Sequence, residues 1–150
     1  MVISNLNTKL IQDRLGLIVG FLERLRLLSR LDQNDFLKGD TPAIAESYLR
    51  RALEAVFDIG RHIIAKHAGQ AAVEYKEIAR LLGRNEVISK GLSEKLVLMA
   101  GYRNRMVHLY HTVREEELYT IMTDNLLDIE AFVKEIGAFL HAYNAFKHNS

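Results

Sequence analysis

Cysteine is absent from this 150-residue chain, which excludes a disulfide framework, a thiol nucleophile and a cysteine-ligated zinc. A reducing compartment suits such a chain, and the cytoplasm is the expectation. An excess of charge of one sign is missing too. Twenty Lys and Arg against nineteen Asp and Glu leave a formal charge of +1, so no global basic field draws nucleic acid, and any RNA binding must come from a local patch. Long apolar runs are lacking. The longest early one, Leu15 to Leu22, follows Asp13 and Arg14, stops at Glu23 and is too short to span a bilayer. Neither a signal peptide nor a transmembrane segment is expected, and membrane association and DNA recognition have no support. No glycine-rich phosphate loop and no Ser-His-Asp pattern occur. No Glu is followed three residues later by His, as a di-metal bundle would require, and His62 and His67 stand five apart, which suggests no metal pair. No metal or cofactor is expected.

What is present belongs to one ordinary folded domain. Hydrophobic residues make up 49% and charged residues 26%. A chain of this length buries roughly 68–70% of its unfolded surface, enough for one core. No repeat, low-complexity tract or linker divides residues 1–150. Only one proline and nine glycines punctuate the chain, and apolar residues recur at intervals of three and four, the spacing of a helical stripe.

The series Ile11, Leu15, Ile18, Leu22, Leu25 and Leu28 predicts a helix from about Thr8 to Leu31, with Asp32 to Asp40 as a polar connection. Thr41 before Pro42 reads as a helix start, the threonine accepting from an orphan amide and the proline taking the first helical position. That helix runs to about Lys66 and is closed by Gly69. Ala45, Leu49, Val56, Ile59 and Ile63 line its apolar face, opposite a polar stripe of Arg51, Glu54, Asp58 and His62. Val73 to Leu82 reads as a short helix ended by Gly83, and Glu86 to Leu92 as a turn or helical fragment. Ser93 to about Tyr110 is helical again. The last helix starts near Val113 with Glu115, Glu116 and Glu117, whose carboxylates complement the positive end of the helix dipole. It turns Leu118, Met122, Leu126, Ile129, Phe132, Val133, Ile136, Phe139 and Leu140 inward. Four long helices with one or two short extra ones predict an all-α, antiparallel four-helix bundle.

Polar and cationic side chains interrupt the apolar pattern in one place, Gly101-Tyr102-Arg103-Asn104-Arg105-Met106-Val107-His108-Leu109-Tyr110. This segment resembles the motif of HEPN ribonucleases: an arginine, four to six residues beginning with a polar one, then a histidine, here Arg103, Asn104 and His108. Tyr110, two positions further, matches the HepT-like toxin branch. The resemblance extends from about Leu6 to Leu140 and implies the HEPN fold and a metal-independent endoribonuclease.

The chemistry it implies is within reach of these side chains. RNA brings its own nucleophile, the 2′-hydroxyl. Cleavage needs a base for that proton, an acid for the departing 5′-oxygen and positive charge at the phosphorane. Histidine exchanges protons near neutrality, and the planar fork of arginine matches phosphate oxygens. His108 is the candidate acid/base and Arg103 the phosphate clamp. Asn104 orients one of them, and Glu54 or Asp58 holds Arg103 if the stripe faces the cleft rather than solvent. Products would be a 2′,3′-cyclic phosphate and a 5′-hydroxyl. Arg105 is either a last-turn cation or a contact to RNA phosphates.

On an ideal helix, five residues separate Arg103 and His108 by about 140°. Either the helix is distorted at its end or a second subunit contributes, and HEPN proteins are typically dimers joining two such motifs. A homodimer with a composite site is therefore expected. The resemblance also implies an MNT-type nucleotidyltransferase antitoxin that adenylylates Tyr110, setting bulk and negative charge on a cleft meant for RNA; otherwise Tyr110 is an interface aromatic. The rival functions are a non-catalytic nucleotide- or substrate-binding partner of such a nucleotidyltransferase and a plain helical interaction module.

Overall fold

Asn7 accepts the amide of Leu10 on its side chain (3.0 Å) and so starts the first helix, α1, Thr8–Ser29. In the computed structural model, residues 5–108 and 113–148 are described. Five further helices follow: α2 Gln33–Phe36, α3 Thr41–His67, α4 Tyr75–Arg84, α5 Lys90–Val107 and α6 Glu115–His148. Four are long and two short, and no strand occurs among the described residues. The all-α bundle expected from the periodicity is the fold.

The apolar stripes account for the packing. Ile11, Ile18, Leu22 and Leu25 of α1 are buried against α3 and α6, with Leu15 and Leu28 at the edge of that contact. On α3 all five expected inward positions are buried, as are Phe57 and Ile64. The 34 residues of α6 make a rod of roughly 50 Å that reaches α1, α3 and α5. Val133 and Phe139 are only partly buried there, whereas the other apolar positions expected to face inward are fully so. No helix among the described residues is long and apolar enough to cross a membrane.

Several boundaries differ from the sequence expectation, each for a local reason. The polar connection after α1 holds α2, capped by Asp32 accepting from the Asp35 amide (2.8 Å). Its one apolar residue, Phe36, is wholly buried and meets the ring of Tyr119 at 5.1 Å, while the Tyr119 hydroxyl donates to the Leu31 carbonyl (2.7 Å). A single aromatic in a polar run has no period to betray it. Thr41 is not a cap: it is the first residue of α3, preceded by Asp40 without a side-chain capping bond. Gly69 closes α3 as expected, in the left-handed region at φ 64°, and the amides of Ala68 and Gln70 both return to the Ile64 carbonyl.

Gly83 does not end α4 but sits inside it, because α5 passes too close for a side chain. A Cβ at Gly83 would lie 2.5 Å from Ser93 Oγ and 2.6 Å from Ser93 Cβ, and that buried hydroxyl donates to the Ala79 carbonyl (2.7 Å). Gly60 does the same on the other side: a Cβ there would stand 2.7 Å from Ile78 Cγ2. Bare backbone at Gly60 and Gly83 thus lets α4 sit tightly against α3 and α5. The turn expected over Glu86 to Leu92 is shorter, because Ser89 caps α5 by accepting from the Leu92 amide (3.3 Å), so that the helix begins at Lys90 rather than Ser93. Ser89 is itself anchored to Glu135 of α6 (2.6 Å).

Alanine at Gly83 gains up to about 1 kcal/mol of helix propensity, but overpacking a well-filled contact costs about 1–3 kcal/mol. Gly83→Ala is therefore expected to lower the urea midpoint, by up to about 2 kcal/mol in unfolding free energy. A midpoint at or above wild type would show that the α4–α5 contact yields freely.

Candidate active-site cleft

The site begins with three residues of α3 that share one face, Glu54, Phe57 and Arg61. Phe57 is fully buried, and the ring of Tyr75, first residue of α4, stacks on it at 4.6 Å between centroids and 16° between planes. One face of Tyr75 is thereby occupied. Over the ring stands the guanidinium of Arg103 from α5, 4.5 Å from the centroid, with Arg61 at 5.7 Å. Arg103 Nη2 also points at Glu54 Oε1, 3.5 Å away, an oxygen that takes Arg50 Nη1 at 3.4 Å as well. Both distances are long for hydrogen bonds, so the carboxylate acts chiefly through its charge and the ring carries the positioning. Arg103 Nε is buried and has no hydrogen-bond partner among the described residues.

Arg103, Asn104 and His108 line one cleft of about 540 Å³, whose opposite wall is built by Arg61, Tyr75 and Lys76, with Val73 and Glu74 at the turn into α4. The 140° separation does not arise, because α5 stops at Val107. His108 has left the helix for an extended conformation (φ −91°, ψ 126°), with its amide still bonded to the Asn104 carbonyl at 3.2 Å. Arg103 and His108 therefore meet in one cleft of one chain, and the angular argument for a second chain falls away.

The other candidates divide. Asn104 lines the cleft and Glu54 reaches Arg103. Asp58 does not hold Arg103; its carboxylate lies 4.0 Å from Arg14 and 3.6 Å from Arg61, so it acts on the cleft only through Arg61. Arg105 points away from the cleft and is gripped by both oxygens of Glu117, at 2.9 and 2.6 Å, tying the end of α5 to the start of α6. Those hydrogen bonds hold the Glu117 carboxyl below its ordinary range and raise the already high Arg105. Tyr110 lies outside the described residues.

Tyr75, Arg61, Lys76 and Glu74 were not singled out by the sequence. Arg61 continues the Glu54–Asp58 stripe by one more turn and was detectable on that ground. Tyr75 and Lys76 open a short helix, and nothing in their spacing tells which helix they face. Among the described residues no group of three or more His, Asp or Glu side chains is placed to hold a metal ion.

His62, on the same stripe, also stands outside the cleft, its Nε2 accepting the Asn7 backbone amide at 2.9 Å and fixing the entry to α1. Burial, and then the charge of Lys66, push its pKa below the usual 6.5.

Residues 18–136 match the family model described as Ribonuclease HepT-like. A tRNA nuclease HepT of Aphanizomenon flos-aquae is 24% identical over 139 residues, covering 91% of this chain and 94% of that one. An mRNA nuclease HepT of Shewanella oneidensis is 31% identical over 90 residues, 60% of this chain and 68% of that one. Among solved structures, the tri-AMPylated Shewanella oneidensis HEPN toxin in complex with its MNT antitoxin superposes with a TM-score of 0.78 at 25% identity, over 86% of this chain and 97% of the other.

The folded-state pKa of His62 is lowered, so the stability it contributes is present above pH 6.5 and is lost as the pH falls toward the folded value. An NMR titration should give His62 a midpoint below 6.5. His62→Gln is expected to flatten this part of the stability–pH curve, and a midpoint above 6.5 would contradict the neutral acceptor role.

Proposed function

The chain belongs to the HepT-like ribonuclease family, and from that premise we propose that it is a metal-independent endoribonuclease toxin that cuts RNA at the cleft between Arg103 and His108. The observation that carries the reading is the meeting of a ring-held guanidinium and a histidine in one open, cationic cleft. The 2′-hydroxyl oxygen attacks the adjacent phosphorus, its proton passes to a base, and the 5′-oxygen leaves with a proton from an acid. A 2′,3′-cyclic phosphate and a 5′-hydroxyl result. Arg103 balances the extra negative charge of the phosphorane, and His108 serves the proton transfers. Asn104 orients one of the two. A wall carrying Arg61 and Lys76 favours a phosphate over a metal cation.

A homodimer belongs to this reading for a chemical reason. Attacking and leaving oxygens stand roughly in line across phosphorus, so one imidazole cannot serve both sides at once. His108 is exposed at the cleft rim, where His108 of a second copy can face it.

Regulation follows from position. Tyr110 stands two residues beyond His108, and a partner nucleotidyltransferase of the MNT type would join its oxygen to the α-phosphorus of ATP, releasing pyrophosphate. The attached AMP then sets negative charge at a cleft that must accept a phosphate.

In excess EDTA the purified protein is expected to cleave labelled RNA to cyclic-phosphate ends. Arg103→Ala and His108→Ala should each lose about 100-fold or more in rate, the usual scale of a removed acid/base or oxyanion group. Cleavage that persists in both variants would falsify the assignment, and RNA binding without cleavage would favour a non-catalytic partner. Sedimentation of the same preparation is expected at twice the chain mass; a monomer that cuts RNA would remove the shared site.

Co-expression with the partner nucleotidyltransferase is expected to add one or more AMP masses to the wild type and none to Tyr110→Phe. A shift that survives the substitution places the modification elsewhere.

A further inference from the structure

The cleft holds more positive charge than one scissile phosphate requires. On this chain of formal charge +1, Arg61, Lys76 and Arg103 converge on one hollow with His108, and Glu74 is the single carboxylate among its lining residues. Arg61 and Lys76 come from α3 and α4, across from the α5 residues that carry the chemistry.

Both are placed rather than merely exposed. Arg61 donates from Nη2 to the Val73 carbonyl (3.4 Å) and pairs with Asp58 at 3.6 Å, leaving part of its five-donor fork open beside the Tyr75 ring. Lys76 has no ion pair among the described residues. Its side chain runs over Gly101, where a Cβ would meet Lys76 Cε at 3.7 Å and Nζ at 4.0 Å, two residues before Arg103. The ammonium thus lies beside the motif, at ordinary contact distance from the Gly101 position. A cation set without a carboxylate of its own at the wall of a cleft is a site for an anion.

We infer that Arg61 and Lys76 form a second phosphate subsite, binding a backbone phosphate of single-stranded RNA next to the one that is cut. The inference rests on the RNA-cleaving reading above. The subsite binds substrate and transition state alike, so it acts on KM and on salt dependence while Arg103 and His108 set kcat. Single strands suit it better than duplex, because neighbouring phosphates of a flexible strand can turn into a concave wall.

The test compares wild type, Arg61→Ala, Lys76→Ala, the double variant and Lys76→Arg, cutting a single-stranded oligoribonucleotide in EDTA across a salt series. Each alanine is expected to raise KM about five-fold with kcat within about two-fold, the scale of one partly exposed ion pair. The slope of log affinity against log salt should fall by about 0.7 for each cation removed, and Lys76→Arg should restore both. Unchanged KM and slope, or lost kcat at constant KM, overturns the subsite. A parallel anisotropy measurement uses the same oligonucleotide fully 2′-O-methylated, which lacks the nucleophile and is bound without being cut. Binding that depends on Arg61 and Lys76 without cleavage of the ribo-oligonucleotide keeps the subsite and sinks the nuclease reading. Cleavage with binding indifferent to both residues sinks the subsite alone, and neither binding nor cleavage sinks both. Both side chains are exposed, so thermal midpoints should match wild type; where an alanine lowers one, Lys76→Gln repeats the measurement.

Discussion

The seating of α4 between α3 and α5 is the constraint on which the cleft depends. It requires bare backbone at Gly60 and Gly83, where a methyl group would collide with Ile78 and Ser93. Because α4 sits that close, Tyr75 at its first position reaches Phe57 and stacks on it. Because one face of Tyr75 is covered by Phe57, the other is free to take the guanidinium of Arg103. Two glycines that are not themselves among the cleft's lining residues thus decide where the arginine stands. Glu54 adds charge at 3.5 Å, but a carboxylate shared with Arg50 cannot fix direction as a ring does.

Charge is distributed to the same end. Several cations outside the cleft find a carboxylate nearby: Lys9 with Asp13, Arg26 with Glu130, Lys38 with Asp35 and Arg80 with Glu77. Exposed pairs of this kind contribute little stability, about 0–1 kcal/mol each. They do quiet the surface. The cleft gathers Arg61, Lys76 and Arg103 around one hollow with Glu74 as the single carboxylate among its lining residues, a local concentration of positive charge on a chain of formal charge +1.

The end of α5 is where a short motif becomes a geometry. Read as a continuous helix, Arg103 and His108 diverge and a second chain is needed to join them. The helix instead stops at Val107, and His108 swings into the same cleft as Arg103. Arg105, between them, is drawn off by Glu117 and pins the end of α5 to the start of α6. The two arginines of the motif therefore have different duties, one facing the cleft and one holding its frame. No spacing rule separates them, since a bidentate partner twelve residues away is visible only after the chain has turned.

The sequence by itself determined the helices and their inward faces, because a period of three to four apolar residues is a local property that the backbone converts directly into a stripe. It also pointed to Arg103, Asn104 and His108 as the candidate segment: cationic residues interrupting an apolar helix drew attention to it, and the resemblance to the HEPN motif, not the spacing alone, suggested its chemistry. Tertiary structure decided everything that depends on which helix lies beside which. Tyr75 and Lys76 became cleft residues only through the close approach of α4, and Glu54 rather than Asp58 met Arg103 because neighbouring positions on α3 point to different neighbours. Phe36 became core only because Tyr119 of α6 passes over it. Such contacts join residues far apart in sequence, and no local pattern encodes a distance between separate helices.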